Sequence, residues 1–518
     1  MSAVSVRTLA RSSVYVNAAQ LWQMGSRLVL TPLVIARLGL AGYGAWTLVF
    51  SLCSYAIALD AGAGWVYAKL TAELDERREY ALLSEVISSG LVLVGSAAAL
   101  GLSGVWLARA WLLPLLGVPQ HLLHETARTL AVLAVAVVFE ASAGCVLDVL
   151  AGLQRMDLQY RFIILGSVAE FATTLSLLLG GGGMVALPVG FSVGAAVSVG
   201  AAWVQCRRLR PGILLSPFRV SRGGVTRVVQ LGFRFQSFLL VGTTVRQGLA
   251  LLMSGLYGTA ALGVFNLADR LLSVARTPGL AIISPLMPAF ANLRSGRHAW
   301  RGRQLFTRAS KAVGVAAALP LLFAIVFAEP ILFAWTGQHF PDAAWTARVL
   351  APVEFVALLT GVAGARLRAA GTVRLELISG LAGSALAVLS LAATYPLAGY
   401  AGSVVAIACG RCVGAVWFLE RSVAYWKLDR WHYARTTVLA PLLWLIPVSL
   451  LFGRATFALR ILDASGPSRW SVLGILALLA VAYGLVCAPV AWFLGISAPE
   501  RARIVNVMRG SGPSRAHV

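Results

Sequence analysis

The chain has 518 residues, 59% of them apolar and only 12% charged, with a mean hydropathy of +0.81. That composition excludes a water-soluble enzyme or binding domain of this size. The net charge of +23 would point to nucleic acid in a soluble chain, but no nucleic-acid motif or aromatic-basic platform accompanies it, so no nucleic-acid partner is expected.

The apolar stretches are about 20–25 residues long, enough to cross roughly 30 Å of hydrocarbon at 1.5 Å per residue. The period-2 alternation of a barrel is absent. Helices are expected, because each satisfies its own backbone hydrogen bonds in lipid. In chain order the spans fall at about 13–36, 43–67, 84–108, 128–150, 160–180, 184–205, 231–254, 261–289, 310–334, 346–366, 375–396, 400–420, 434–453 and 471–494.

An offset of 219 residues superimposes Arg27 on Arg246, Gly39 on Gly258, Gly44 on Gly263, Leu48 on Leu267 and Leu74 on Leu293. The chain is therefore read as two repeats. With six spans in each half, the first and seventh helices share an orientation, and the repeats are parallel. The expected fold is an all-α polytopic membrane protein of about 14 transmembrane helices, with two parallel six-helix lobes around a central cavity plus two extra C-terminal helices. Residues 1–206 form the first lobe, 207–230 a basic cytoplasmic linker and 231–422 the second lobe. Residues 423–500 hold the two additional helices, and 501–518 a cytoplasmic tail.

About 30 of the 43 Lys and Arg fall on one set of alternating loops, about 7 on the other and about 6 within spans. By the positive-inside rule the rich side, which includes both termini, is cytoplasmic. Pro278, Pro285 and Pro288 should bend or interrupt the eighth span. A moving or gating helix and a static kink both fit that pattern.

The six cysteines lie in or beside spans, with no pair on an outer loop. Cys409 and Cys412 have C-x-x-C spacing but no second pair of ligands, and buried apolar thiols are expected. His121, His124 and Glu125 offer two imidazoles at i,i+3 without a third ligand, so an interfacial turn is expected there. No metal, no cofactor and no ATPase motif is expected, and the chain is read as a non-enzyme.

Charge inside the spans carries the functional argument. A cation near mid-bilayer costs about 2.5–3.5 kcal/mol on insertion scales, so it is seldom kept without a wet cavity or a bound anion. Gln20, Gln23, Arg27 and Thr31 share one face of span one, and Gln236, Thr243 and Arg246 repeat the idea on span seven. Facing stripes would line a lumen for an anionic substrate. The alternative is hydrogen bonding between helices as structural glue. Arg411 in span twelve is a third candidate cation, and Arg234 lies near the end of span seven, where it could snorkel.

Asp60, Glu140, Asp148, Glu170, Asp269 and Glu354 are the acids within spans. Glu140 and Glu170, near mid-span on neighbouring helices, are the candidates for ion coupling. Asp269, with Arg270 and Arg276, is expected to form a structural pair.

From Asn17 to Leu74 the sequence carries Arg27, Pro32, Arg37-Leu-Gly39, Tyr43-Gly44-Ala45-Trp46-Thr47-Leu48, Asp60-Ala-Gly62 and Ala72-Glu73. Leu256-Tyr257-Gly258 through Gly263 to Leu271 echoes it in the second half. This resembles the opening of polysaccharide or O-antigen-type flippases of the multidrug/oligosaccharidyl-lipid/polysaccharide (MOP) exporter superfamily, with similarity of pattern over residues 12–422.

The resemblance implies alternating access by two six-helix lobes. A cationic lumen would admit the diphosphate head of an undecaprenyl-type lipid-linked oligosaccharide at the bacterial inner membrane. Arg27 and Arg246 would be the anion ligands, with membrane lipids and the polysaccharide polymerase and chain-length machinery as partners. The R-x-x-G-x-x-R-E signature of lipid II flippases is missing, which turns the expectation away from a peptidoglycan precursor. Two other readings stand beside it. One is a cation-coupled multidrug antiporter on the same scaffold. The other is a membrane glycosyltransferase or polymerase, for which the outer loops offer no clear acid/base constellation.

Overall fold

The computed structural model describes residues 6–213, 219–293, 299–372, 374–462 and 468–490, and these are helical, with no strand among them. In order the helices are α1 (Val6–Glu76), α2 (Tyr80–Leu107), α3 (Arg109–Leu115), α4 (Gln120–Ala143), α5 (Cys145–Gly152), α6 (Met156–Leu179), α7 (Ala186–Leu209) and α8 (Arg222–Ala275). There follow α9 (Thr277–Ile283), α10 (Leu286–Asn292), α11 (Ala299–Thr336), α12 (Pro341–Ala370), α13 (Arg374–Tyr425) and α14 (Arg430–Tyr433). A π-helical turn at Ala434–Leu439 leads into α15 (Ala440–Leu462), and α16 (Arg469–Val490) closes the order.

Among the described residues, eleven helices are long and apolar enough to cross a membrane. The 71 residues of α1 would reach roughly 100 Å if straight, more than three hydrocarbon thicknesses. The helix is broken instead at Gly39, with φ 71° and ψ 174°. Gly258 breaks α8 with nearly the same pair of angles, φ 82° and ψ 170°. Nothing lies within 4 Å of a Cβ built on Gly39, so the glycine answers a backbone demand that side-chain-bearing residues resist. The two glycines matched by the 219-residue offset thus share one rare conformation. A third break, at Gly399, divides α13.

The prolines of the eighth span act as the sequence predicts. After α8 ends at Ala275, the chain continues as the two short helices α9 and α10, with Pro278 in the first turn of α9, Pro285 just before α10 and Pro288 within it. The connection at 109–127, expected as a loop, is mostly helical, formed by α3 and the first turns of α4. The fourth span bends at Gly144, where α4 passes into α5.

By packing, the chain divides into two compact units, Met1–Gly263 and Val264–Val518. This division falls inside α8 rather than in the basic segment 207–230. The reason is local: Ala250 and Leu262 of α8 are buried with Leu48, Leu113 and Val118 of the first unit. The Ser254 hydroxyl donates to the Leu116 carbonyl at 2.6 Å, and the Thr259 N–H donates to the Gly117 carbonyl at 3.3 Å. Matched glycines cross here: Gly44 lies against the Thr259 carbonyl, and a methyl on Gly263 would stand 2.7 Å from the Leu40 carbonyl.

The core of the first unit joins Val49, Cys53 and Tyr67 of α1 to Leu83 and Ile87 of α2, Leu133 and Val137 of α4, and Val149 of α5. Lipid tails are as apolar as leucine, so these helices associate by close packing rather than by escape from water. Small residues provide it. A methyl on Gly194 of α7 would lie 2.9 Å from the Gly166 carbonyl and 2.8 Å from the Glu170 Cβ on α6.

In the second unit a methyl on Gly414 would lie 2.7 Å from the Gly383 Cα, where the two parts of α13 cross. Gly383 follows Gly166 by 217 residues. The two extra helices pack on α11: Leu476 is buried with Phe327 and Ala334, and the Tyr483 and Ser449 hydroxyls lie 2.9 Å apart.

The described cysteines are free thiols. Cys53, Cys145, Cys206 and Cys487 are buried as expected, but Cys409 is exposed and Cys412 half-buried. They lie near the α13 crossing, where Gly410 and Gly414 occupy the packed side and leave the cysteines between them on the flank.

Candidate functional site

In the first unit, α1 presents Arg27 as an exposed side chain twelve residues before the Gly39 break. Gln20 is exposed and Gln23 half-buried on the same helix. Thr31 departs from the expected polar stripe: it is buried, and its hydroxyl donates to the Arg27 carbonyl at 2.7 Å. Trp22 meets Phe171 of α6 edge-on at 5.9 Å, which sets this stretch of α1 beside Glu170.

Arg27 and Glu170 attract one another electrostatically, and Glu170 in turn repels Glu140 on α4. Three residues chosen from sequence on three different helices therefore form one line of charge. Glu140 and Glu170 are both partly covered rather than freely solvated.

On α8, Arg246 is exposed and enters no ion pair among the described residues. Thr243 is buried, 7% exposed, which removes most of its surface from any lumen. Its neighbour Thr244 hydrogen-bonds the Tyr55 hydroxyl of α1. The side chains of Asp60, Arg234 and Gln236 lie outside the described ones. Asp148 accepts from the Gln159 amide at 3.5 Å and lies against Gly64, where a methyl would come within 2.6 Å of its Oδ2.

The second unit holds a charge cluster that the sequence reading named only in pieces. Glu354 of α12 is 4% exposed and accepts from two arginines at once. Arg276 Nη1 donates to its Oε2 at 3.1 Å, and Arg411 Nη2 donates to its Oε1 at 2.9 Å. Asp269 is a further partner of Arg276, at 4.0 Å. Arg411 is thus committed to a carboxylate, and the closest partner of Arg276 is Glu354 rather than Asp269. A count of charges within spans would have suggested this pairing, since Glu354 has no other cation within its own span.

Outside the spans, Arg210 Nε and Nη2 grip both oxygens of Asp75 at 2.6 and 3.0 Å. The Arg210 guanidinium holds the Asp75 carboxyl below its ordinary value. Tyr80 packs beside Gly212, and the Ser221 N–H donates to the Ser89 hydroxyl at 3.0 Å. The basic segment is therefore fastened to α1 and α2 at both of its described ends.

On the opposite set of loops, Glu125 accepts from the Met184 N–H at 2.6 Å. Its carboxylate is engaged with backbone, and no cluster of three or more His, Cys, Asp or Glu suited to a metal occurs among the described residues.

The family pattern described as "Polysaccharide biosynthesis protein" matches residues 9–294, more than half of the chain. The chain belongs to the polysaccharide biosynthesis protein family. Its fold is that of MOP-superfamily transporters. The inward-closed conformation of the lipid II flippase MurJ aligns with a TM-score of 0.69 at 10% identity, covering 93% of this chain and 98% of that one. An inward-facing multidrug resistance MATE family transporter aligns with a TM-score of 0.65 at 16% identity, covering 78% and 94%. A MOP superfamily transporter from Pyrococcus furiosus, whose binding pocket of reverse polarity is said to suggest a different function, aligns at 0.57 and 15% identity, covering 81% and 95%. No curated protein sequence matches. Family and fold together make this member of the polysaccharide biosynthesis proteins a multi-pass membrane protein of the flippase or transporter type.

Proposed function

We propose that this protein flips a polyprenyl-diphosphate-linked oligosaccharide, of the undecaprenyl type, across the bacterial inner membrane for surface polysaccharide assembly. The observation that carries this reading is the pair Arg27 and Arg246, the one charged position matched at the 219-residue offset within spans, each exposed on an otherwise apolar helix. A guanidinium fits a diphosphate through paired N–H donors, and such a contact offsets the cost of keeping a cation at membrane depth.

In this reading the breaks at Gly39, Gly258 and Gly399 are turns between successive crossings, so the eleven apolar helices give fourteen. Residues 1–206 and 231–422 act as rocking lobes joined by 207–230, residues 423–500 add two helices, and both termini, with the tail 501–518, are cytoplasmic. Gln20, Gln23 and Thr243 supplement the arginines, and Arg411 contributes the guanidinium edge that Glu354 does not occupy. Glu140 and Glu170 serve ion coupling. The polymerase and chain-length machinery receive the flipped product.

Replacement Arg27→Ala is expected to abolish export in a cell-based polysaccharide assay with normal protein levels, while Arg27→Lys retains a fraction. Wild-type export from Arg27→Ala would overturn the assignment.

One observation favours a second reading: Trp22, Phe171, Glu170 and Glu140 gather carboxylates and aromatic rings on α1, α4 and α6. That chemistry suits an organic cation, as a cation-coupled multidrug antiporter would require. A deletion strain hypersensitive to cationic drugs but normal in surface polysaccharide would support it.

A further inference from the structure

The second unit carries an end unusually rich in cations without partners. From Arg270 to Ala328 the sequence holds eight Lys or Arg and no Asp or Glu. The carboxylates packed nearby are already engaged. Glu376 accepts from Arg368 at 2.7 Å, Glu420 pairs with Arg430 at 2.9 Å, and Asp429 caps α14 by accepting from the Trp431 and His432 N–H groups. Arg301, Arg303, Arg366 and Arg421 enter no ion pair among the described residues.

These arginines are brought together around Trp426. A methyl on Gly302 would lie 2.7 Å from its Cη2, and its ring centre is 6.2 Å from Phe306 and 5.4 Å from Tyr425. The Arg366 guanidinium lies 3.8 Å above the Tyr425 ring and 5.5 Å from that of Trp426. The first turns of α11, the end of α12 and the end of α13 therefore converge on one patch. Arg421 stands one turn before Tyr425 on α13, and Arg301 lies 5.4 Å from the Trp300 ring. Trp300 and Tyr425 are 60% and 63% exposed, large rings left uncovered at the ends of apolar helices.

We propose that this end of the second unit is a docking site for the phosphate headgroup of an anionic phospholipid. Arg301, Arg303, Arg366 and Arg421 supply the charge. Trp300 and Tyr425 rest among the glycerol and upper acyl carbons. The exposed rings decide between a lipid and a soluble phosphate: amphipathic aromatics at span ends belong at headgroup depth, whereas a free anion gains nothing from them. The proposal is independent of what the protein transports.

The test is native mass spectrometry of the purified full chain with an equal mixture of phosphatidylglycerol and phosphatidylcholine. Wild type is expected to retain phosphatidylglycerol in at least about threefold excess. The double replacement Arg301→Ala with Arg366→Ala is expected to bring the ratio near one, and the corresponding double lysine variant to restore part of it. Equal retention by wild type, an unchanged preference in the alanine variant, or displacement of the lipid by millimolar inorganic phosphate would each overturn the proposal. Size-exclusion chromatography reports whether the alanine variant folds. If it does not, Arg303→Gln, at an exposed position, is read in the same assay against the same outcomes.

Discussion

Glu354 shows how a single carboxylate can govern two cations. Removing one partner from a buried ionic cluster costs about 3–5 kcal/mol, because the remaining charge stays desolvated, whereas replacing the whole cluster by apolar groups is often neutral. Arg276 and Arg411 retain about a third of their side-chain surface, which places this case at the lower end. Glu354→Ala is therefore expected to lower the thermal midpoint of the detergent-purified protein clearly. The triple variant Arg276→Met, Glu354→Leu, Arg411→Met should recover most of the loss. A triple variant as unstable as the single one would show that the cluster is not acting through its charges. Transport by the stable triple variant then reports whether Arg411 acts on substrate. Sequence pattern exposed each of these residues as a charge in a span, but their partnership depends on which faces of α12 and α13 meet, and no periodicity within one helix encodes that.

At the scale of elements, the twin breaks in α1 and α8 are the most local determinants of the fold. The backbone at Gly39 and Gly258 lies in a region nearly reserved for glycine, where another residue costs of order 1–3 kcal/mol. Gly39→Ala and Gly258→Ala should each destabilise the protein by that order in thermal melts. Gly101→Ala, in the middle of α2 with open space around it, should be neutral or slightly stabilising. Equal melting of all three variants would refute the backbone argument.

These glycines were legible in the sequence because the offset aligned them. The crossing of Gly166 with Gly194 was not, since small residues are frequent throughout this chain and only the approach of α6 to α7 selects the pair that matters. The offset drifts to 217 residues at Gly383, which hides the second crossing from an alignment anchored on Arg27.

For the molecule as a whole, composition and loop charge were enough to specify an all-helical membrane protein, and the duplication was written in matched residues. The boundary between units was not, because the basic segment looks like a free connector. Its ties to Asp75, Tyr80 and Ser89 are contacts across more than a hundred residues of sequence. Asp75 is held below its ordinary pKa by Arg210, so the stabilisation it contributes is complete above the unfolded carboxyl value near 4 and is lost as pH falls through the folded value. Limited proteolysis of the segment 207–224 should therefore proceed at one rate between pH 7 and pH 5, apart from the protease's own profile, and accelerate below about pH 4. Asp75→Asn should be cut roughly several-fold faster at every pH. A variant cut no faster than wild type would show that the tie contributes nothing to holding the segment.

The division at Gly263 also bears on how the gene for such a protein could be dissected. A scission between Ile213 and Arg219 gives two polypeptides, but the carboxyl-terminal one leaves with the first stretch of α8, whose Ala250 and Leu262 are seated among residues of the other. The pieces are not two self-contained halves, because one lends a helix to the body of its counterpart. Reassembly from separately made fragments would begin from that borrowed helix rather than from the symmetry of the duplicated sequence.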